Sequence, residues 1–310
     1  MIRILFSGGP EDRWATYSDV LPQALEAAGI EAEIRQDWPP EQVDYIVYAP
    51  NEDLTDFSPY VNCKAVLNLW AGVEGLTKND TLTQPLTRMV DRGLTEGMVE
   101  WVTGHVLRHH LGMDAHIVNP DHEWNWAPPP LARKRPVTML GLGELGEACA
   151  RSLAALNFPV TGWSRSLKDI DGITCVAGDD GLAGALAAAE IVVLLLPLTP
   201  ETRNLMDAER LAGMKRGAVL INPGRGPLID DDALLAALDD GQIAHATLDV
   251  FREEPLPRDH PYWAHPRVTV TPHIASATRP DTAAEVIAEN IRRAEAGEPL
   301  LYRVDRDAGY

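Results

Sequence analysis

Cations and cysteines are scarce in this chain, and each scarcity excludes something. Lys and Arg number 27 of 310 residues against 46 Asp and Glu, a formal net charge of −19. Such a surface repels nucleic-acid phosphates and anionic membranes, so neither is expected as a partner. An anionic substrate must then be drawn in by a local basic pocket, which makes the few well-placed arginines informative. The three cysteines, Cys63, Cys149 and Cys175, are odd in number and lack the short spacings of metal knuckles or redox pairs. They are expected to be reduced, mostly buried thiols of a cytoplasmic protein. No apolar run approaches a membrane span, and "MIRILFSGG" at the N-terminus looks like a first strand and turn rather than a signal peptide. A length of 310 residues suits two domains.

What is present is an alternation of short apolar runs with amphipathic segments, the pattern of parallel strands joined by crossover helices, so the expected class is α/β. In the first third "IRILFSG", "EAEIRQ", "DYIVYAP" and "KAVLNLWAG" are predicted strands, and "YSDVLPQALEAAG" is a helix capped by Gly29. A long helix is predicted over 95–113, from the helical spacing of Met98, Trp101, Val102, Val106, Leu107 and Leu111. An irregular Pro-rich stretch with Trp124 and Trp126 follows, either facing a partner subunit or covering an apolar surface. "VTMLGLG", "PVTGWSR", "EIVVLLLPL", "AVLINPG", "AHATLDV" and "RVTVTPH" are predicted strands of a second, doubly wound sheet, apolar on consecutive positions as a sheet covered on both faces requires. A last helix over 280–296 is expected to pack back on the first domain.

The motifs sit at the ends of these strands. Gly141-x-Gly143-x-x-Gly146, between a strand and a helix, is the pattern of a dinucleotide site: a tight turn, a close backbone approach to pyrophosphate, and close helix packing. The next strand ends in Trp163-Ser164-Arg165-Ser166, with Lys168 beyond and no carboxylate before Asp169. Two hydroxyls and two cations suit a ribose 2′-phosphate, so NADP(H) is favoured and NAD(H) stays possible. "NPGRGPLID", "LDVFREEPLP" and "TPHIAS" then place Arg225, Glu254 and His273 beyond the carboxyl ends of three strands. An arginine fork for a carboxylate, a histidine that carries a proton near neutral pH and a carboxylate behind it describe a site that reduces a 2-oxo acid. Arg225 has a structural rival reading as an ion-pair partner for Asp230 to Asp232, and Glu253 competes with Glu254. His105 and His109 stand at i, i+4, but without a carboxylate in a matching motif no metal is expected.

With these segments in this order, and with "LWAGVEGL", "GLGELGE", "GWSRS", "LLPLTPETRNLM" and a C-terminal "VDRDAGY", the chain resembles the D-2-hydroxyacid dehydrogenase family, and within it the glyoxylate/hydroxypyruvate reductase A-like branch. The resemblance spans nearly the whole chain. It implies a Rossmann-type cofactor domain, 98–279, inserted into a smaller flavodoxin-like substrate domain, 1–97 plus 280–310. It implies that Arg225 binds the substrate carboxylate and polarises the ketone, that His273 is the acid, and that Glu254 pairs with it. Backbone amides at Ala71 and Gly72 would bind the carboxylate, Asp249 would meet the nicotinamide carboxamide, and Leu196 and Pro197 would border the adenosine, with Leu145 and Pro223 beside the cofactor. It implies a homodimer formed through the cofactor domains, and glyoxylate and hydroxypyruvate as first substrates. An NAD-linked dehydrogenase of a bulkier D-2-hydroxy acid, or a nucleotide-sensing corepressor-like binding protein, are the rival readings. The chain departs from the family at Trp70, Glu74, Pro223 and Pro227, which leaves pocket shape open.

Overall fold

The computed structural model of the chain describes residues 1–9 and 13–309. In chain order the first elements are β1 (Ile2–Ser7), α1 (Arg13–Tyr17), α2 (Val20–Ala27), β2 (Ala32–Arg35), β3 (Tyr45–Tyr48), β4 (Ala65–Asn68), β5 (Leu86–Thr87), α3 (Arg92–Leu111) and α4 (Asp114–Ile117). Then come β6 (Val137–Leu140), α5 (Glu144–Ala155), β7 (Val160–Trp163), β8 (Thr174–Val176), α6 (Gly178–Ala188) and β9 (Ile191–Leu194). The last are α7 (Ala208–Gly213), β10 (Ala218–Asn222), α8 (Asp231–Asp239), β11 (Ile243–Leu248), β12 (Val268–Val270) and α9 (Pro280–Glu295). The chain divides into two compact units, residues 1–94 with 277–310, and residues 95–276.

In the first unit a parallel sheet runs in the order β2-β1-β3-β4-β5. Alternate strand residues feed two cores: Ile4, Phe6, Tyr45, Val47 and Leu67 on one face, Leu5, Ile46, Tyr48 and Val66 on the other. Both faces are therefore covered, which explains the unbroken apolar runs of β3 and β4. The C-terminal helix α9 belongs to this unit, packing Ala284, Ile287, Ala288 and Ile291 beside Leu21 and Leu25 of α2. Each fully buried isoleucine contributes about 1.5–3 kcal/mol relative to exposure. Gly29 ends α2 with φ +71, and the N–H of Ile30 reaches back to the carbonyl of Leu25.

The second unit holds a parallel sheet in the order β12-β11-β10-β9-β6-β7-β8. The chain starts it at β6, builds β7 and β8 to one side and β9 to β12 to the other, so the order reverses between β6 and β9. That reversal opens a crevice at the carboxyl ends, where open α/β sheets bind their ligands. The register defines the edge: Leu140 pairs with Trp163 and Leu194, Ile221 with Val193, and Leu248 with Asn222 and Val270. Residues 141, 164, 195, 223, 249 and 271 thus leave the sheet in one row. Two short strands, β5 and β8, lie outside the expected set. β8 is an edge strand with an exposed Thr174, and β5 has two residues, so neither carries an apolar run for the sequence to reveal.

Beside β11, the helix α3 brings half-buried imidazoles together. His109 Nε2 bonds Thr247 Oγ1 at 2.8 Å and its ring lies 4.9 Å from that of His245, which bonds Thr269 at 2.9 Å. Burial, with the neighbouring His245 and Arg108 charges, pushes His109 down to about 3; burial and then Arg108 push His245 down to about 4. His109 is thus a half-buried group bonded to Thr247, and among the described residues no cluster of three or more His, Cys, Asp or Glu forms a metal site. Nor is any helix among them long and apolar enough to cross a membrane. Unfolded imidazoles titrate near about 6.5, so between that pH and about 4 the unfolded chain binds protons that the folded chain refuses. Stability is then full above pH ~6.5 and falls as the pH drops. The urea midpoint is expected to fall between pH 7.5 and 5, before the carboxylates titrate, and the fall is expected to shrink in His245→Gln; an unchanged slope in that variant contradicts this origin.

Candidate active site

The glycine turn after β6 is built by close approach. A Cβ on Gly141, where φ is +106, would lie 2.3 Å from the Leu195 carbonyl oxygen, and one on Gly146 would lie 2.0 Å from the carbonyl oxygen of Gly141. The fold itself needs these two glycines. Gly143 is different: its φ of −70° is open to any residue and a Cβ there meets nothing within 4 Å. Its bareness fits a backbone that a pyrophosphate approaches, at the N-terminus of the twelve-residue helix α5, which includes Leu145. The residues present therefore fit a dinucleotide.

Past β7, Ser164 is buried and its hydroxyl donates to the carbonyl of Ser166 at 2.8 Å, which shapes the turn and leaves Arg165 and Ser166 exposed. The Lys168 ammonium donates to the Leu142 carbonyl, so its charge stands over the glycine turn. Across from this loop, Glu201 is held below the usual carboxylate range, first by the Thr199 hydroxyl and more weakly by Arg165. Leu196 is buried beside Pro197, whose carbonyl accepts from Thr202 at 2.7 Å.

The loop after β10 is pinned by a side chain of the strand. Asn222, fully buried, accepts from the N–H of Gly224 at 3.1 Å and donates to the carbonyl of Arg225 at 2.9 Å. The loop runs so close to the next one that a Cβ on Gly226 would sit 2.0 Å from the Phe251 carbonyl carbon. Pro223 is buried at the turn, and Pro227 opens a short 3-10 turn over Gly226–Leu228. The Arg225 guanidinium, half-buried, donates to the carbonyl of Gly224 at 2.7 Å. Two of the aspartates beyond it have partners elsewhere: Asp230 caps α8, and Asp231 pairs with Arg252 at 3.0 Å and accepts from Tyr262 at 2.9 Å.

After β12 the chain makes a sharp turn in which His273 adopts φ +53. For a non-glycine residue this left-handed conformation costs energy and persists only where the surroundings over-determine it. Asp249, fully buried, does so. Its carbonyl accepts from the N–H of His273 at 2.8 Å, Oδ1 accepts from the Thr271 hydroxyl at 2.6 Å and the N–H of Ile274 at 2.9 Å, and Oδ2 accepts from the N–H of Ala275 at 2.9 Å. The Asp249 carboxylate, expected against a nicotinamide carboxamide, thus also holds the His273 turn through three accepted hydrogen bonds. His273 Nδ1 meets Glu254 Oε2 at 2.7 Å, while Glu254 Oε1 accepts from the N–H of Phe251 at 2.8 Å. A carboxylate only accepts, so Nδ1 donates and Nε2 is the nitrogen left for chemistry. Of the two adjacent glutamates it is Glu254 that faces His273.

Arg225, Glu254 and His273 line one cavity of about 210 Å³ together with Gly226, Pro227 and Phe251. A fixed cation, an imidazole and its carboxylate partner therefore share a small opening at the carboxyl edge of a sheet whose first turn fits a dinucleotide. Residues 104–275 match the model of the D-isomer specific 2-hydroxyacid dehydrogenase NAD binding domain. The chain belongs to the D-isomer specific 2-hydroxyacid dehydrogenase family. A glyoxylate/hydroxypyruvate reductase A of Serratia proteamaculans is 38% identical over 97% of this chain and 96% of its own. The D-isomer specific 2-hydroxyacid dehydrogenase of Xanthobacter autotrophicus Py2, solved with NADPH and MES, superposes with a TM-score of 0.89 at 43% identity, covering 99% of each chain. An NADPH-dependent glyoxylate/hydroxypyruvate reductase of Sinorhizobium meliloti, solved with NADP and sulfate, gives 0.84 at 34% identity over 100% of each.

The sequence expected Ala71 and Gly72 in a substrate loop, and they follow β4 in the first unit, both half-buried. What sequence reasoning missed is Asn222 and the holding role of Asp249, the side chains that fix the loops. Their only signal is a polar residue closing an apolar run, in "AVLIN" and "ATLD".

Proposed function

We propose that this family member reduces small 2-oxo acids, glyoxylate and hydroxypyruvate first among them, to 2-hydroxy acids, with NADPH preferred. The observation that carries the reading is the single cavity shared by Arg225 and the Glu254–His273 pair, beside a glycine turn fit for pyrophosphate. The relatives named for reduction of glyoxylate and hydroxypyruvate, and the neighbours solved with NADPH or NADP, support it. The exposed Arg165 and Ser166 support the choice of NADPH, with Ser164 shaping their turn and Lys168 adding positive charge over the glycine turn.

Arg225 binds the substrate carboxylate and polarises the reacting carbonyl; its guanidinium stays charged at every working pH and offers a planar fork to two oxygens. In a protein of net charge −19 this local cation also selects the anion from solution. A dinucleotide held at the glycine turn of Gly141, Gly143 and Gly146 would supply the hydride. His273, as imidazolium, gives the proton from Nε2 to the carbonyl oxygen while the negative charge develops there. Glu254 holds the Nδ1 proton, fixing the ring's orientation, and Asp249 holds the backbone turn that presents the ring. The product is a hydroxyl where the ketone stood, and His273 recovers its proton from solvent.

The same reading includes a homodimer. In the segment 117–131, Ile117, Val118, Trp124, Trp126 and Leu131 are 69, 72, 95, 81 and 57% exposed. An apolar display of this kind on a charged protein fits burial by a second copy. Light scattering is expected to give twice the chain mass, and a monomer at micromolar concentration contradicts it.

Absorbance assays with NADPH and with NADH against a panel of 2-oxo acids test the activity itself. The expected result is reduction of glyoxylate and hydroxypyruvate with a higher kcat/KM for NADPH. His273→Ala, Glu254→Ala and Arg225→Ala are each expected to lose turnover by about 10²-fold or more, the scale of general-acid and charge-stabilisation terms, while NADPH binding persists. Near-normal turnover in His273→Ala sinks the mechanism.

A further inference from the structure

The loop after β4 in the first unit hangs from a buried polar side chain. Asn68 closes an interior strand and is 1% exposed. Its Nδ2 donates to the carbonyl of Trp70 at 2.8 Å and to that of Gly72 at 3.2 Å. Its Oδ1 is buried and has no partner among the described residues. A buried acceptor without a partner lowers stability, so an apolar residue of similar size would serve the core at least as well. The amide is retained for what its donor side does.

That donor side orients peptide groups. The Trp70 carbonyl also accepts from the N–H of Met89 at 2.9 Å, and the Leu69 carbonyl accepts from the Thr278 hydroxyl at 2.9 Å. Three carbonyls of the segment 69–72 are thereby drawn into the unit. In a trans peptide the C=O and the following N–H point opposite ways, so drawing in the Trp70 carbonyl turns the N–H of Ala71 away from the core. Among the described residues neither the N–H of Ala71 nor that of Gly72 has an acceptor. The loop therefore offers two adjacent backbone donors, and for the Gly72 carbonyl the Asn68 amide is the donor found among the described residues.

We infer that Asn68 is a positioning residue for substrate binding: by tying down the Trp70 and Gly72 carbonyls it holds the Ala71 and Gly72 amides as a carboxylate receptor. This rests on the proposed reduction of 2-oxo acids. A receptor for the carboxylate, which does not react, binds ground state and transition state alike, so its loss raises KM and spares kcat. A core role instead predicts a lower melting temperature with KM unmoved.

Asn68→Leu removes the donor and the unpartnered acceptor together. The expected result for glyoxylate is a KM raised about 10-fold or more, the equivalent of roughly 1.4 kcal/mol, with kcat within about 3-fold of the parent. The melting temperature and the Kd for NADPH are expected to stay unchanged. Asn68→Asp keeps the size but sets an acceptor against two carbonyls, and is expected to raise KM at least as much; it decides the matter if the leucine variant does not fold. An unchanged KM in either folded variant overturns the role of Asn68 while leaving the reductase reading in place. A parent enzyme inactive on every 2-oxo acid overturns the reductase reading, and this inference with it.

Discussion

The buried carboxylate of Asp249 is the interaction on which the candidate site depends. It stands one residue past the register row where β10, β11 and β12 end together, and it gathers three donors from the turn that carries His273. The turn needs that support, because His273 is held at φ +53. Without the row, Arg225, Glu254 and His273 are three residues spread over 49 positions of chain; with it, they line one cavity. Parallel strands of equal register thus convert separation in sequence into adjacency at one edge, and buried polar side chains at the strand ends convert adjacency into orientation.

The same device recurs across the molecule. Asn222 pins the Arg225 loop as Asp249 pins the His273 turn, and Asn68 ties down the loop after β4. In each case a polar side chain sits where an apolar core residue is the ordinary choice. Such groups are costly to bury and worth retaining where they aim backbone groups or charged side chains. The negative surface then makes the single aimed arginine selective: over most of the molecule an anion is repelled, and at Arg225 it meets a cation fixed by the neighbouring loops.

The α/β class and most strands were legible because both sheets are covered on both faces, which writes each central strand as an unbroken apolar run. β5 and β8 were not, because two or three residues at or near a sheet edge leave no such run. The glycine turn was legible because Gly141 and Gly146 are required by contacts under 2.5 Å, and Arg225, Glu254 and His273 because each follows a strand end. The holding roles of Asn68, Asn222 and Asp249 were hidden, since they depend on which way the carbonyls and N–H groups of a turn point. Asp249 in particular drew an expectation about the cofactor, and its second role, holding the His273 turn, shows only in the structure. His105 and His109 stand at a spacing open to a metal reading, and packing sets the His105 ring against Trp101 and bonds His109 to Thr247 of β11.

The central claim is that proton delivery by His273 accompanies reduction of the carbonyl. Single-turnover oxidation of NADPH by glyoxylate, followed in H2O and in D2O at matched pD, tests it most directly. The account predicts a slower step in D2O for the parent enzyme and no such difference in the residual rate of His273→Gln. Equal rates in the two solvents for the parent, or an undiminished isotope effect in the variant, would contradict it.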